Sequence, residues 1–191
     1  MKLSPPRLKG HISLEETLTN RRSRRSFSHR NLSWEQISQL LWAAQGITDE
    51  VNGFRTAPSA GALRPMEIYL ATHDGTYHYK PDEHEIEQTS TVDKRPEISR
   101  AAFGQPCIRQ AALGIIIAAT HQKVVEVYGE RAKRLIDMEA GHVAQNIHLQ
   151  AVALGLGSVP IGAFDYDEAQ NILALPEEHE PVYIVSVGYS L

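Results

Sequence analysis

Two segments near the amino end share a pattern that starts helices. In "SLEE", Ser13 is followed three positions later by Glu16, and in "SWEQ", Ser33 is followed by Gln36. Such pairs form a capping box, in which each side chain accepts a hydrogen bond from the backbone N–H of the other residue. After the second box, apolar side chains recur with the period of a helix that buries one face: Ile37, Leu40, Leu41 and Ala44.

Short apolar runs bounded by turn residues predict β-strands farther along the chain. "MEIYLAT" and "TYHYK", with Asp74-Gly75 between them, indicate a hairpin with a two-residue turn. "LGIIIAATH" is apolar at successive positions, which is typical of a strand covered on both faces. "SVPIG", a helix that begins after Asp165 and a last strand "VYIVSVGY" complete the pattern.

The longest helical pattern runs from Val124 to Leu154 and is predicted to end at Gly155 and Gly157. Combined with the strands, it gives a mixed α+β pattern without an internal repeat or a domain linker. Apolar side chains line one side of this helix: Leu135, Met138, Val143, Ile147, Ala151 and Leu154. Small residues predict a flat patch where another helix can approach closely: Ala140, Gly141 and Ala144.

Composition narrows the classes of protein. The 191 residues are 42% hydrophobic and carry a formal net charge of -4, which suits one globular domain and argues against a nucleic-acid-binding face. The longest apolar run, Ala111 to Ala119, is too short to span a bilayer, and the amino end lacks the apolar core of a signal peptide. We therefore expect a cytoplasmic protein with no membrane association. Pro5 and Pro6 oppose helix formation, which predicts an arm over residues 1–12 before a single domain over 13–191.

Several well-known motifs are absent. "GLGSVPIG" has Pro160 where a dinucleotide fingerprint requires glycine, and it follows a helix rather than a strand. Cys107 is the one cysteine, and its position between a proline and an apolar run predicts a buried structural thiol. His142 lies three positions after Glu139, but no third ligand follows at suitable spacing, so we predict no metal site.

Three separated segments have the composition of a ligand site. "RRSRRSF", at the end of the first predicted helix, supplies the guanidinium and hydroxyl donors that a phosphate requires, although a solvated charge run is the alternative. The small side chains of "TAPSAGALRP" would let a flat ring lie against the backbone, with Ser59 as a donor. In "SVPIGAFD", Gly162 and Ala163 leave backbone N–H groups unobstructed. Taken singly, the last two segments could also be simple turns.

In their order along the chain, five segments resemble the nitroreductase-like family of flavin oxidoreductases: "RRSRRSF", "APSAGALRPMEIYL", "YHYKPDEHEIE", "YGERAKRLIDMEAGHVAQNIHLQAVALGLGSVPIGAFD" and "VSVGY". The resemblance is closest to the branch that includes the azoline (thiazoline or oxazoline) dehydrogenases. It implies an α+β fold with a mostly antiparallel central sheet flanked by helices. It also implies an intertwined homodimer with an FMN at each of two interface sites, so that residues 13–191 form one FMN-binding domain.

The resemblance also assigns roles to the three segments. Arg21, Ser23 and Arg25 are expected to hold the FMN phosphate, ribityl chain and pyrimidine edge, with Arg22 contributing through its backbone. A second set would reach the flavin from the partner subunit: Pro58, Ser59, Ala60, Gly61 and Ala62. A third set would lie against the ring, with the backbone N–H of Gly162 directed at flavin N5: Pro160, Ile161, Gly162 and Ala163. Because a reduced flavin carries negative charge near N1 and O2, we expect Arg25 to favour its reduction.

The predicted activity is FMN-dependent transfer of electrons from NADH or NADPH to a small-molecule acceptor such as a nitroaromatic compound or a quinone. The transfer would follow ping-pong kinetics and would need no side chain as an essential acid or base. The alternatives are a flavin-binding or flavin-processing protein of the same fold without this turnover, or an azoline-type dehydrogenase.

The chain departs from the family pattern at three places. It lacks the basic residue that many members carry in a carboxy-terminal tail, and Arg64 is a candidate replacement for that phosphate contact. It lacks the Leu-Lys-Tyr motif of the azoline dehydrogenases, since Tyr79 and Lys80 occur in reverse order on a predicted surface hairpin. Gly162 stands where the family often has an acidic residue, which should open space beside N5.

Overall fold

A six-stranded antiparallel sheet in the order β5-β4-β3-β6-β8-β7 forms the centre of the computed structural model, which describes residues 1–191. Its strands are β3 (Met66–Thr72), β4 (Gly75–Lys80), β5 (Glu85–Ser90), β6 (Leu113–Ala119), β7 (Gly157–Ile161) and β8 (Glu180–Gly188). A separate two-stranded sheet pairs β1 (Ile47–Asp49) with β2 (Phe54–Arg55). The predicted α+β class with an antiparallel sheet is confirmed.

Seven α-helices surround the sheet: α1 (Leu14–Asn20), α2 (Trp34–Gln45), α3 (Arg95–Ala101), α4 (Pro106–Gln110), α5 (Gln122–Tyr128), α6 (Ala132–Ala153) and α7 (Tyr166–Leu173). Both predicted capping boxes are confirmed, since the Glu16 N–H donates to Ser13 Oγ at 3.1 Å and the Gln36 N–H donates to Ser33 Oγ at 3.3 Å. At α7, Asp165 Oδ1 alone provides the cap, by accepting a hydrogen bond from the Glu168 N–H at 2.8 Å. No helix combines the length and the apolar composition that crossing a membrane requires.

The helices pack on both faces of the sheet and create two hydrophobic cores. Helices α2 and α6 cover one face, and α3, α4 and α7 cover the other. Strand β6 is buried at every position, as predicted for a strand covered on both faces. Its side chains alternate between the cores: Ile115 and Ile117 belong to the first, and Ile116 and Ala118 to the second.

The predicted long helix is wrong at its amino end. Gly129 adopts a φ of 55°, and the chain there forms α5, one 3-10 turn over Gly129–Arg131 and then α6. Two residues of the predicted small-residue patch, Ala140 and Ala144, are buried in the core to which helix α2 also contributes, which agrees with the close approach of another helix, and Gly141 is exposed. Met138 is exposed as well, because Ile136 takes the core position.

The predicted hairpin of β3 and β4 is confirmed, but its turn lies one residue earlier than expected. Thr72 pairs with Gly75, so His73 and Asp74 form the turn. Gly75 is required where it stands, since a Cβ there would lie 2.0 Å from the carbonyl oxygen of Ser90. Tyr79 on β4 is fully buried, so the prediction of a surface hairpin is wrong for this residue.

Candidate functional site

The arginine-rich segment lies along the edge strand β7. The Arg21 N–H bonds the carbonyl oxygen of Thr17 at 2.9 Å, which closes the last turn of α1. Ser23 then pairs in parallel with Ser158, and the Arg24 N–H donates to the Ser158 carbonyl at 2.9 Å. The first and third predicted segments, more than a hundred residues apart in sequence, are therefore neighbours in the fold.

A glycine makes this close approach possible. A Cβ at Gly157 would lie 2.9 Å from Cβ of Arg24 and 2.9 Å from Cβ of Ser190, closer than such atoms pack. Just after the arginines, Phe27 is 3% exposed and pairs with Ser190. The basic segment is therefore fixed at both ends, by α1 and by Phe27, and residues 22–25 between these two points are exposed.

The arginines of this segment carry uncompensated positive charge. None of Arg21, Arg22, Arg24 and Arg25 forms an ion pair. The Arg22 guanidinium donates to the carbonyl oxygens of Thr19 and Arg21, at 2.9 and 2.7 Å, and so caps the carboxyl end of α1. Both bonds use Nη1 of Arg22 alone. The other three guanidinium groups form no hydrogen bond within the chain, so all of their donors are available to an anion.

The residues that follow β7 expose backbone rather than side chain. Ile161 is 3% exposed and belongs to the second core, so its side chain has a packing role. Gly162 and Ala163 are exposed. A Cβ at Gly162 would meet only the Tyr183 ring, at 3.7 Å, so the space over this backbone is open.

The connection between α3 and α4 supports this stretch, which the sequence did not predict. The Gln105 side-chain amide donates to the Ala163 carbonyl at 3.0 Å, and the Asp165 N–H donates to Ala101 at 2.8 Å. Phe103, two residues before Gln105, is 74% exposed and has a φ of 56°. Strained backbone of this kind clusters at functional sites. The only residue in the sequence that could have indicated this strained connection was Gly104, which also has a positive φ.

The second predicted segment forms a strained loop elsewhere on the chain. Gly61, Ala62 and Arg64 all have φ between 52° and 59°, a region that costs a non-glycine residue about 1–2 kcal/mol. The Ser59 hydroxyl holds the loop by accepting a hydrogen bond from the Arg64 N–H at 2.8 Å. A Cβ at Gly61 would lie 2.8 Å from Tyr128 Oη, so the loop packs against α5.

Within one chain, this loop does not join the other two segments. Ser59 lies beside Glu139 on α6, and the Thr56 carbonyl at the start of the segment accepts a hydrogen bond from the Asn146 side chain of the same helix at 3.1 Å. No hydrogen bond links residues 58–62 to the arginine segment or to β7. The structure thus joins the first and third segments by backbone hydrogen bonds and does not join this loop to them.

Glu139 is a buried acid next to the strained loop. It is 3% exposed, and its Oε1 atom has no hydrogen-bond partner. Burial raises the pKa of this carboxyl, while Ser59, Arg55 and Gln45 act in the opposite direction. The sequence marked Glu139 only as a neighbour of His142, which is exposed.

His148 is a buried base directly behind β7. Its Nδ1 lies 2.6 Å from Ser158 Oγ, and its Nε2 is buried without a partner. Burial, reinforced by the charge of Arg21, lowers the pKa of His148 to about 4, so the ring is neutral at pH 7. Cys107 is buried too, as predicted for a structural thiol, and burial raises its pKa.

Fold and site together define an α+β protein in which an unpaired basic segment lies along an edge strand that ends in open glycine backbone. Residues 18–189 match the family model described as "Nitroreductase family". The chain belongs to the nitroreductase family, as its sequence pattern indicated.

Individual relatives agree with this assignment. A Methanocaldococcus jannaschii protein named "Putative nitroreductase MJ1384" is 42% identical over 183 residues, covering 93% of this chain and 91% of that protein. A crystal structure titled as a "putative nitroreductase" from Ralstonia eutropha has a TM-score of 0.90 and 30% identity, covering 100% of this chain and 88% of its own. The "FMN reductase (NADPH)" of Bacillus subtilis is 25% identical, covering 91% of this chain and 64% of that protein. The "Microcin B17-processing protein McbC" of Escherichia coli is 29% identical over 137 residues, covering 65% of this chain and 50% of that protein.

Proposed function

We propose that this protein is an FMN-dependent oxidoreductase that uses NADH or NADPH to reduce a small acceptor of the nitroaromatic or quinone type. The observation that carries the proposal is the row of unpaired guanidinium groups along β7, immediately before the open backbone of Gly162. FMN, when bound, would supply the redox chemistry by accepting a hydride at N5 and returning electrons to the acceptor. The family assignment and the FMN reductase relative support this proposal.

The side chains present fit the phosphate and the ring of FMN. Arg21 and Ser23 offer a guanidinium and a hydroxyl for a phosphate and a ribityl chain; Arg21 forms no ion pair, and the Ser23 hydroxyl forms no hydrogen bond within the chain. Arg25 is exposed and would place positive charge beside the pyrimidine edge, where it would favour a negatively charged reduced ring. The backbone of Gly162 has no side chain to keep a flat ring away.

We propose in addition that two chains form the site. The strained loop over residues 58–62 makes no hydrogen bond with β7 or with the arginine segment of its own chain, which supports its contribution to the site of a partner subunit. Apolar side chains exposed on α1, α5 and α6 would be covered by such a partner: Leu14, Leu18, Val125, Val127 and Met138. Sedimentation or light scattering is expected to give twice the 21.3 kDa chain mass, and a particle of one chain would contradict the shared site.

FMN titration tests the phosphate assignment. Arg21→Ala and Arg25→Ala should each lose charged hydrogen bonds worth about 1.5–3 kcal/mol, which corresponds to a roughly 10- to 150-fold higher Kd. Arg100→Ala removes an exposed arginine on α3 and serves as the control, with no change expected. Unaltered FMN affinity in both variants would exclude this role for the arginines, and a wild-type protein that binds no FMN would contradict the proposed function itself.

Turnover separates the oxidoreductase from its alternatives. The FMN-loaded protein should oxidise NADH or NADPH when a quinone or a nitroaromatic compound is added, with parallel-line ping-pong kinetics. FMN binding without any nicotinamide oxidation would favour a flavin-binding or flavin-processing protein. The relative McbC keeps an azoline dehydrogenase as a second candidate, which oxidation of a thiazoline peptide would support.

A further inference from the structure

A second group of polar side chains lies on the sheet face that α3, α4 and α7 cover, away from β7. Glu67 on β3, His78 on β4 and His179 in the loop between α7 and β8 meet there, with their candidate ligand atoms within 4.8 Å of one another. His78 is 8% exposed, and the group borders a cavity of about 250 Å³. The sequence did not predict this group, because its members come from three separate elements.

We propose that Glu67, His78 and His179 bind a zinc ion, with water in the fourth position. Two imidazole nitrogens and one carboxylate oxygen are the ligand set of open zinc sites. The cavity beside the group leaves room for the water.

The observed spacing is close to what zinc requires. Zn–N and Zn–O bonds of about 2.1 Å place tetrahedral ligands roughly 3.4 Å apart, and since the three ligand atoms lie within 4.8 Å of one another, no separation needs to shorten by more than about 1.4 Å. Glu67 Oε2 and His78 Nε2 are 2.7 Å apart on adjacent strands, a hydrogen-bond distance that zinc would open by about 0.7 Å. His179 follows a turn closed by its own N–H and the Pro176 carbonyl, at 2.9 Å, and as a loop residue it can move toward them.

Tyr69 orients both histidines. Its hydroxyl lies 2.6 Å from Nδ1 of His179, which leaves Nε2 as the free ring nitrogen. Its ring stacks on His78, with centroids 4.3 Å apart and planes 12° apart. Outer partners of this kind fix the ring orientation of metal-binding histidines.

Lys80 is the competitor that a metal must displace. Its Nζ lies 2.8 Å from Nδ1 of His78. If zinc bound Nε2 of His78, Nδ1 would carry a proton, so the Lys80 ammonium would have to move away from it. Glu87 Oε2 is 4.0 Å from the same Nζ and offers an alternative partner. Arg55, which also borders the cavity, is neutralised in part by Asp82 at 3.2 Å.

The zinc site is separate from the proposed flavin site. Glu67 on β3 and His78 on β4 are three and four strand positions from β7, about 14 Å or more at the usual strand spacing. His179 lies in the loop before β8, outside the arginine segment and residues 160–163. Zinc binding can therefore be measured independently of FMN.

Competition with a chromophoric chelator measures zinc affinity on the purified full chain after metal removal. The wild type should bind one zinc per chain, and cobalt in its place should give the intense visible bands of a tetrahedral site. His179→Ala and Glu67→Gln should weaken binding at least tenfold, and Tyr69→Phe should weaken it roughly tenfold through the lost outer contact. Lys80→Gln should tighten it. His142→Ala, on the exposed face of α6, is the matched control and should not change it.

Thermal unfolding shows whether each variant is folded. Zinc should raise the Tm of the wild type and of His142→Ala, and it should leave the Tm of folded His179→Ala unchanged. Absence of stoichiometric zinc binding, or equal affinity in wild type and His179→Ala, would overturn the proposal and leave the group as a hydrogen-bonded network only. Either result leaves the flavin proposal untouched.

Discussion

His148 should make the protein sensitive to acid by an amount that can be calculated. Its pKa is about 4 in the folded protein, against 6.5 for a solvated histidine. Because the folded value is the lower one, the unfolded chain takes up the proton first as the pH falls. The free energy of unfolding is therefore unaffected by this group above pH 6.5, and it declines between pH 6.5 and pH 4.

The magnitude follows from the two values. At pH 5 an imidazole with a pKa of 6.5 is almost fully protonated, whereas one with a pKa of 4 is mostly neutral. The difference lowers the free energy of unfolding by about 2 kcal/mol relative to neutral pH. At pH 5 the loss depends mainly on the unfolded-state pKa, which makes this pH the informative one.

Urea unfolding at pH 7.5 and pH 5 would measure the loss, at one protein concentration so that any association contributes equally. His148→Gln keeps a polar partner for Ser158 but cannot take up a proton, so its decrease between the two pH values should be smaller than that of wild type by about 2 kcal/mol. His142→Gln changes an exposed histidine on the same helix and should behave like wild type. Equal decreases in wild type and His148→Gln would refute the reasoning that burial keeps this ring neutral.

Three further substitutions probe the packing around the site. Gly157→Ala would force a Cβ against Arg24, so we expect about 1–3 kcal/mol lower stability by urea unfolding and weaker FMN retention; an unchanged midpoint would contradict the close approach. Gln105→Ala removes the bond to the Ala163 carbonyl and should cost about 1 kcal/mol and alter the KM for the acceptor, and identical kinetics would show that this support is dispensable. Gly141→Ala has open space around its Cβ and should raise the Tm through a gain of about 1 kcal/mol in helix propensity, whereas loss of the proposed dimer would show that the exposed glycine lies at the interface between two chains.

The sequence was sufficient where local signals agreed with burial. Both capping boxes, the hairpin of β3 and β4 and the doubly covered strand β6 were predicted because each depends on neighbouring residues or on a short apolar run. The long helix was extended too far, because the period of its apolar residues continues through Gly129 although the backbone there adopts a positive φ.

The pattern of hydrophobic and polar residues could not predict contacts between segments that are distant in sequence. Nothing local indicates that Ser23 pairs with Ser158, or that Gln105 holds the Ala163 carbonyl, since each contact depends on the final order of the strands. The resemblance to a family supplied the candidate residues of the site, and the structure supplied their arrangement. His148 and Glu139 are examples. The sequence shows that these two residues are present, but their burial depends on how α6 packs in the folded protein.

The strand order has a consequence for how the molecule is assembled. β8 lies between β6 and β7 and is the only sheet strand that pairs with β7. During synthesis the arginine segment leaves the ribosome early, but the strand along which it lies gains a sheet partner only after residues 180–188 have emerged. Non-local pairing of this kind is slow to form, so capture of the cofactor should be one of the last events in the maturation of the nascent chain.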